Sequence, residues 1–188
     1  GFNGYSDFFC YSSYRQVLTY LIDRAAIVDE VMDGWADEAT LPVNPHSELY
    51  DRELADSLAY NTQQCQEALA ALGCRDLEFS LSGSKVEIGL KFIVCSDTAA
   101  KVTAARRICS AMEELGFPVT LQELSWKDFQ AALKNPQDEE TRKATFDMYY
   151  DEVAITCDWD QMPFYEEDGA LNYGMWKDDN AIAAITSY

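Results

Sequence analysis

VEIGLKFIVCSDTAAKVTAARRICSAMEELGFPVTLQELSWKDFQAAL, residues 86–133, changes its hydrophobic period three times. Val86, Ile88, Leu90, Phe92 and Val94 are apolar at every second position, the period of a strand with a buried face. Ser96-Asp97 follows, and then Val102, Ala105, Cys109 and Met112 recur three or four residues apart, as on one face of a helix. Gly116 supplies a helix stop. A second strand is predicted over 117–124. It leads into Ser125-Trp126-Lys127-Asp128, a capping-box pattern, and a helix carrying Phe129, Ala132 and Leu133. Asn135-Pro136 ends that helix, and QDEETRK makes a solvated connection.

Further along stands TFDMYYDEVAITCDWDQMPFYEEDGALNYGMW, residues 145–176. Phe146, Met148, Tyr150, Val153, Ile155 and Cys157 predict a third strand over 146–157, with a polar interruption at Asp151-Glu152. Asp158-Trp159-Asp160 follows it directly. The order is β-α-β-α-β, and helical crossovers of this length make neighbouring strands parallel and right-handed. Parallel strands share a carboxyl edge. Ser96-Asp97, Ser125-Trp126 and Asp158-Trp159-Asp160 are therefore expected along one rim, the first two at helix N-termini. Carboxylates, hydroxyls and two indoles at strand ends are what a ligand crevice in an open α/β sheet offers. The candidate ligand-binding residues are Asp158, Trp159, Asp160, Ser96, Asp97 and Trp126.

Upstream, LEFSLSGSK before the first strand reads as one arm and the turn of a hairpin, at Ser82-Gly83-Ser84. Residues 1–11 are aromatic and glycine-containing, an entering segment rather than a helix. From Ser13 a helical pattern places Tyr14, Val17, Leu18, Leu21 and Ile22 on one face. Asp23 caps a second helix with Ile27, Val28 and Val31 apolar and Gly34 as its stop. Packing on the sheet is expected through Val17, Leu21 and Val28. WADEATLPVNPHSELYD carries two prolines and no period, so an ordered surface loop is predicted. Asn61 with Gln64 opens a further helix, closed by Gly73.

The chain has 188 residues, 48% of them hydrophobic, and a formal net charge of −19. That length suits one ordinary core, and the hydrophobic content excludes disorder. The charge argues against nucleic acid and against anionic lipid, both of which recruit basic surfaces. No apolar run approaches the roughly 18 residues of a membrane span, and no secretory signal pattern opens the sequence. The six cysteines form no CxxC pair, and with His46 as the one histidine there is no zinc spacing. Buried free thiols are expected. Cys65 and Cys74 lie too far apart along a helix to bridge unless the chain turns back.

An enzyme is not expected, and no cofactor or metal is implied. A hydrolase needs a nucleophile beside a base, and the histidine sits in a proline-rich loop with no GxSxG elbow elsewhere. Asp158 and Asp160 could in principle share acid–base work, but neighbouring alternate residues at a strand end point in different directions. In an EF-hand reading of D-W-D, Met162 falls where a third oxygen ligand is needed.

Several blocks, in order, resemble the family 5 extracellular solute-binding proteins, the peptide, nickel and sugar receptors of ABC importers. YRQVLTYLIDRAAIVDEVMDG is similar to the family's RQAL-Y-IDR-AIV segment, and LPVNPHSELYD to the proline-containing stretch after it. KFIVCSDTAAKVTAARRICSAMEELGFPVTLQELSWKDFQAAL, FDMYYDEVAITCDWD and GALNYG resemble the next blocks.

The resemblance implies a type II periplasmic-binding fold of two lobes. Residues 1–188 are then a single α/β lobe, the second one, with a central mixed sheet and helices on both faces. It also implies a parent protein exported to the periplasm or the outer face of the membrane. The parent would touch the membrane through a lipid anchor and work with ABC permease subunits. The ligand would be a small solute, foremost an oligopeptide. In peptide-binding relatives an acidic residue at this strand end receives the ligand's α-ammonium, a position that falls on Asp158. The family's proline tends to follow that acid after three residues, whereas four residues separate Asp158 from Pro163, so Asp158 and Asp160 both stay candidates. The competing expectation is a stand-alone α/β sensory or interaction domain unconnected with transport.

Overall fold

The computed structural model describes residues 1–73, 78–81, 84–87, 89–156 and 159–187, the stretches 78–81 and 84–87 by backbone alone. At its centre lies β3 (Leu90–Cys95), flanked by β4 (Val119–Leu124) and β5 (Met148–Tyr150) in the order β4-β3-β5. Both pairings are parallel, running from Leu90↔Val119 to Cys95↔Leu124 on one side and from Phe92↔Met148 to Val94↔Tyr150 on the other. The first residues run back along the outer edge of β5 through an antiparallel bridge, Phe2↔Met148, which makes the sheet mixed.

Strand β3 is buried on both faces, and its alternation sorts two cores. Leu90, Phe92 and Val94 join the larger cluster, with Ala105, Ile108, Cys109 and Met112 of α5 (Ala99–Glu114). Phe8, Phe9, Tyr14, Val17, Leu18 and Leu21 complete it, from the entering segment, α1 (Ser12–Leu18) and the 3-10 turn Thr19–Leu21. Ile93 and Cys95 point the other way, onto Phe129 and Leu133 of α6 (Trp126–Lys134) and onto Phe146. The helices after β3 and β4 thus cover opposite faces, as right-handed crossovers leaving in opposite senses require.

The helix ends follow local chemistry. Asp23, Asp51, Asn61 and Ser125 accept backbone N–H bonds at the starts of α2 (Arg24–Val31), α3 (Arg52–Ser57), α4 (Thr62–Ala71) and α6. Gly73 and Gly116 turn the chain at φ +79° and +88° just past α4 and α5. Two further helices, α7 (Met162–Tyr165) and α8 (Asp179–Thr186), lie beyond the sheet. No helix among the described residues is long and apolar enough to cross a membrane.

The expected strands are longer than the observed ones. The 86–95 run is interrupted at Gly89: β2 (Ser84–Glu87) pairs with β1 (Glu78–Leu81) in a separate antiparallel ribbon. The third strand ends at Tyr150 rather than at 157. Tyr150 pairs with Val94, so only Cys95 of β3 remains to be matched, and at Ser96 the chain turns towards α5. No ladder edge is left for 152–156, and Ile155 is exposed despite the alternation. Cys157 lies outside the described residues. On α2, Ile27 rather than Val28 packs against the larger core, because the rotational phase of that helix is set by its contact with α5. Cys65, Cys95 and Cys109 are buried free thiols as expected, whereas Cys10 is exposed.

Candidate functional site

Three strand ends form the carboxyl edge. Ser96 follows β3, and its backbone N–H and its hydroxyl both donate to the Leu124 carbonyl at 2.9 Å, stitching that end to β4. Thr98, two residues further on, is the residue that caps α5, accepting from the Lys101 N–H. Ser125 caps α6 through the Asp128 N–H and donates its hydroxyl to the Asp128 carboxylate at 2.7 Å. Trp126 opens α6 and is 55% exposed. Because α5 carries the chain from β3 to one neighbour and α6 carries it back to the other, the strand order reverses at β3, and the gap between Ser96-Asp97 and the end of β5 is the topological switch point of the sheet.

Asp151, directly after β5, occupies the level at which Asp158 is expected, and Lys101 reaches it. The Lys101 ammonium, nearly buried, sits 3.4 Å from Asp97 and 3.7 Å from Asp151. Burial opposes the Lys101 charge, but the hydrogen bond to Asp97 and the charges of Asp97, Asp151 and Glu152 outweigh it and raise its pKa. Neither Lys101 nor Asp151 was anticipated; the Asp97–Lys101 spacing of four residues is the one signal that could have pointed there.

The described part of the Asp158-Trp159-Asp160 motif lies in a different concavity. A cleft of about 780 Å³ is lined by Pro42, Val43, Asn44, Ser47 and Leu49, by Trp159, Asp160 and Gln161, and by Ala184 and Ile185 of α8. Trp159 holds a left-handed backbone, φ 57°, in a turn closed by its N–H to the Thr156 carbonyl at 2.9 Å. Gln161 donates to the Trp159 carbonyl, and the exposed Asp160 carboxylate accepts the Met162 N–H at 2.9 Å. The opposite wall is the proline-bearing loop, ordered by Ser47 N–H to Asn44 carbonyl, Tyr50 N–H to Ser47 carbonyl and Thr40 N–H to the Tyr50 hydroxyl. His46 in that loop is exposed and faces Asp37 at 2.9 Å.

The structure thus brings Trp159 and Asp160 together in one cleft and joins Ser96 and Asp97 to the strand ends near Ser125-Trp126. Ser96, Asp97 and Trp126 are not among the residues lining the cleft. Asp158 lies outside the described residues. The walls at 42–49 and 184–185 were missed; Pro42 and Pro45 mark a stiff loop, but nothing local marks Ala184 or Ile185. Chemically the cleft is a mostly apolar surface with one carboxylate, two amides and a hydroxyl, which suits an amphiphilic solute. Among the described residues no cluster of three or more His, Cys, Asp or Glu is placed to hold a metal ion.

Comparison with known proteins bears on the family and the fold. The model of the bacterial extracellular solute-binding proteins, family 5 Middle, matches residues 1–170. The oligopeptide-binding protein AppA of Bacillus subtilis (strain 168) is 25% identical over 141 residues, which are 72% of this chain and 26% of that protein. The chain therefore spans about a quarter of that relative's length. The structure of AppA from Bacillus subtilis in complex with a nonapeptide superposes with a TM-score of 0.77 at 21% identity, covering 100% of this chain and 37% of that one. NikA from Staphylococcus aureus in complex with Ni(L-His)2 gives 0.72 at 20% identity, covering 99% and 37%. Both structural likenesses establish the fold, a lobe of a periplasmic-binding protein.

Proposed function

Because the chain belongs to the bacterial extracellular solute-binding proteins of family 5, we propose that it is the second, ligand-binding lobe of an ABC-importer receptor for oligopeptides. The observation that carries this reading is the composition of the cleft. Trp159, Val43, Leu49 and Ile185 offer apolar contact, while Asp160 and the amides of Asn44 and Gln161 offer sparse polar anchors. A peptide presents that mixture: apolar side chains, backbone donors and acceptors, and an ammonium. A bare nickel ion asks for more: no histidine or cysteine lines the described cleft, so a metal would have to arrive already chelated, as in a nickel–histidine complex.

In this reading Asp158 or Asp160 receives the peptide's α-ammonium and Trp159 stacks on an apolar side chain. Ser96, Asp97 and Trp126 form the neighbouring rim facing a partner lobe. Asp97 is already engaged by Lys101, which leaves it less able to take a cationic group than Asp160. The partner lobe closes over the ligand, excludes water and supplies the remaining contacts. The receptor works outside the cytoplasm and delivers its solute to permease subunits without chemical change.

Calorimetric titration of the full receptor containing this chain tests the reading. Short peptides with a free amino terminus should bind, acetylated ones about ten- to hundredfold more weakly, the worth of one charged hydrogen bond. Asp158→Asn and Asp160→Asn, each titrated in turn, identify the carboxylate. Heat released only with Ni(II) plus L-histidine, and none with any peptide, would replace the peptide reading by a metal-complex one.

A further inference from the structure

Asn172 belongs to no helix or strand, yet its side chain is buried, 6% exposed, in a surface segment. Its amide nitrogen donates to the Glu166 carbonyl at 2.9 Å and to the Trp176 carbonyl at 2.8 Å, and its oxygen accepts the Trp176 N–H at 2.9 Å. Both amide hydrogens and the oxygen are therefore in use. The two carbonyls lie on opposite limbs of the segment. Glu166 terminates α7, which starts directly after Trp159, Asp160 and Gln161. Trp176 lies two residues before Asp178, the cap of α8, whose last turn carries Ala184 and Ile185. The limbs thus bear two walls of the cleft, and Asn172 is the clasp between them.

The clasp is also referenced to the sheet. Gly4 N–H donates to the Gly174 carbonyl at 2.7 Å, Tyr173 packs edge-on against Tyr149 of β5 at 5.9 Å, and the Arg15 guanidinium lies 4.0 Å from the centre of the Trp176 ring. A contact that only filled space would not need every polar atom of one amide to be spent across two limbs.

We propose that Asn172 is a positioning residue. It fixes the separation of the Trp159–Gln161 wall from the Ala184–Ile185 wall, and so sets the shape of the cleft before ligand arrives. This deepens the peptide-binding reading and rests on it. Pre-organised walls spare the ligand the work of ordering them, so losing the clasp lowers affinity without removing any ligand contact.

The test uses the full receptor. Asn172→Asp keeps the shape and the acceptor but turns a carboxylate oxygen towards two carbonyls. Peptide affinity should fall about tenfold at a temperature where circular dichroism shows both proteins folded. Ile185→Ala should cost clearly less affinity in the Asn172→Asp background than in the wild type, because residues that act through one wall are not additive. Unchanged affinity, or full additivity, overturns the proposal. Should Asn172→Asp not fold, Asn172→Ala carries the same expectation, and failure of both to fold overturns it in favour of a purely structural staple. A folded wild type that binds no peptide sinks the reading of function instead. The proposal is then decided by the fluorine resonance of Trp159 in fluorotryptophan-labelled protein, which should move in the Asn172 variant while that of Trp35 stays; an unmoved Trp159 overturns it.

Discussion

Lys101, on the first turn of α5, places its ammonium 3.7 Å from the carboxylate of Asp151, fifty positions later in the chain and just past β5. Both side chains are about nine-tenths buried, at 10% and 9% exposure, and Asp97 at 3.4 Å completes the group. This cation ties the helix on one face of the sheet to the end of its third strand.

Removing it leaves a buried carboxylate uncompensated. Lys101→Met should lower stability by about 3 kcal/mol, or roughly 6–12 °C in Tm for a chain of this size. The raised Lys101 pKa gives the sign of its pH dependence. The folded-state value stands above the ordinary 10.5, so its stabilisation is fully present below that pH and is lost as pH rises through the folded value. Alkaline unfolding followed by circular dichroism should show this extra loss in the wild type and not in Lys101→Met. Equal stability of the two proteins at neutral pH would show the pair to be inert.

Thiol reactivity should separate the cysteines. Burial pushes the Cys65 thiol up to about 11, and Cys95 and Cys109 are raised by the same cause. Cys10 is exposed. Among the described cysteines, a maleimide at pH 8 read out by peptide mapping should modify Cys10 first and leave Cys65, Cys95 and Cys109 unmodified until denaturant is added. Cys10 is itself raised above 9.0, by partial burial and then by Asp7, so its rate should still be climbing at pH 9. Native-state labelling of Cys65 as fast as that of Cys10 would contradict the packing of α4.

Gly174 meets the entering segment too closely for a side chain. A Cβ there would fall within contact distance of the Phe2 carbonyl and the Trp176 indole. Gly174→Ala should therefore cost about 1–3 kcal/mol, measured by chemical denaturation. A cost near zero would mean that residues 1–4 do not dock on this turn.

Trp159 combines a bulky side chain with a left-handed backbone at φ 57°. That conformation costs a non-glycine residue about 1–2 kcal/mol. Trp159→Gly should then be more stable than Trp159→Ala by about 1 kcal/mol in thermal melts, while both lose peptide affinity alike in the full receptor. Strain retained at a cleft wall is the pattern expected where the side chain is kept for the ligand. If both variants bind peptide as the wild type does, Trp159 has no part in the site.

The amino-acid sequence by itself was enough for the β-α-β-α-β core, the caps of α2, α4 and α6 and the assignment of apolar faces on α5 and α6. Caps at Asp23, Asn61 and Ser125, stops at Gly73 and Gly116, and the spacing of Val102, Ala105, Cys109 and Met112 are all contained within a few consecutive residues. Local hydrogen bonds and local burial decide them. The tertiary structure alone decided where β5 stops, since a strand lasts only as long as its neighbour offers a ladder, and β3 ends at Cys95. It alone chose Ile27 over Val28, joined Lys101 to Asp151, and built a cleft from 42–49, 159–161 and 184–185. Each of those depends on which distant segment occupies the adjoining space, and hydrophobic periodicity carries no information about that.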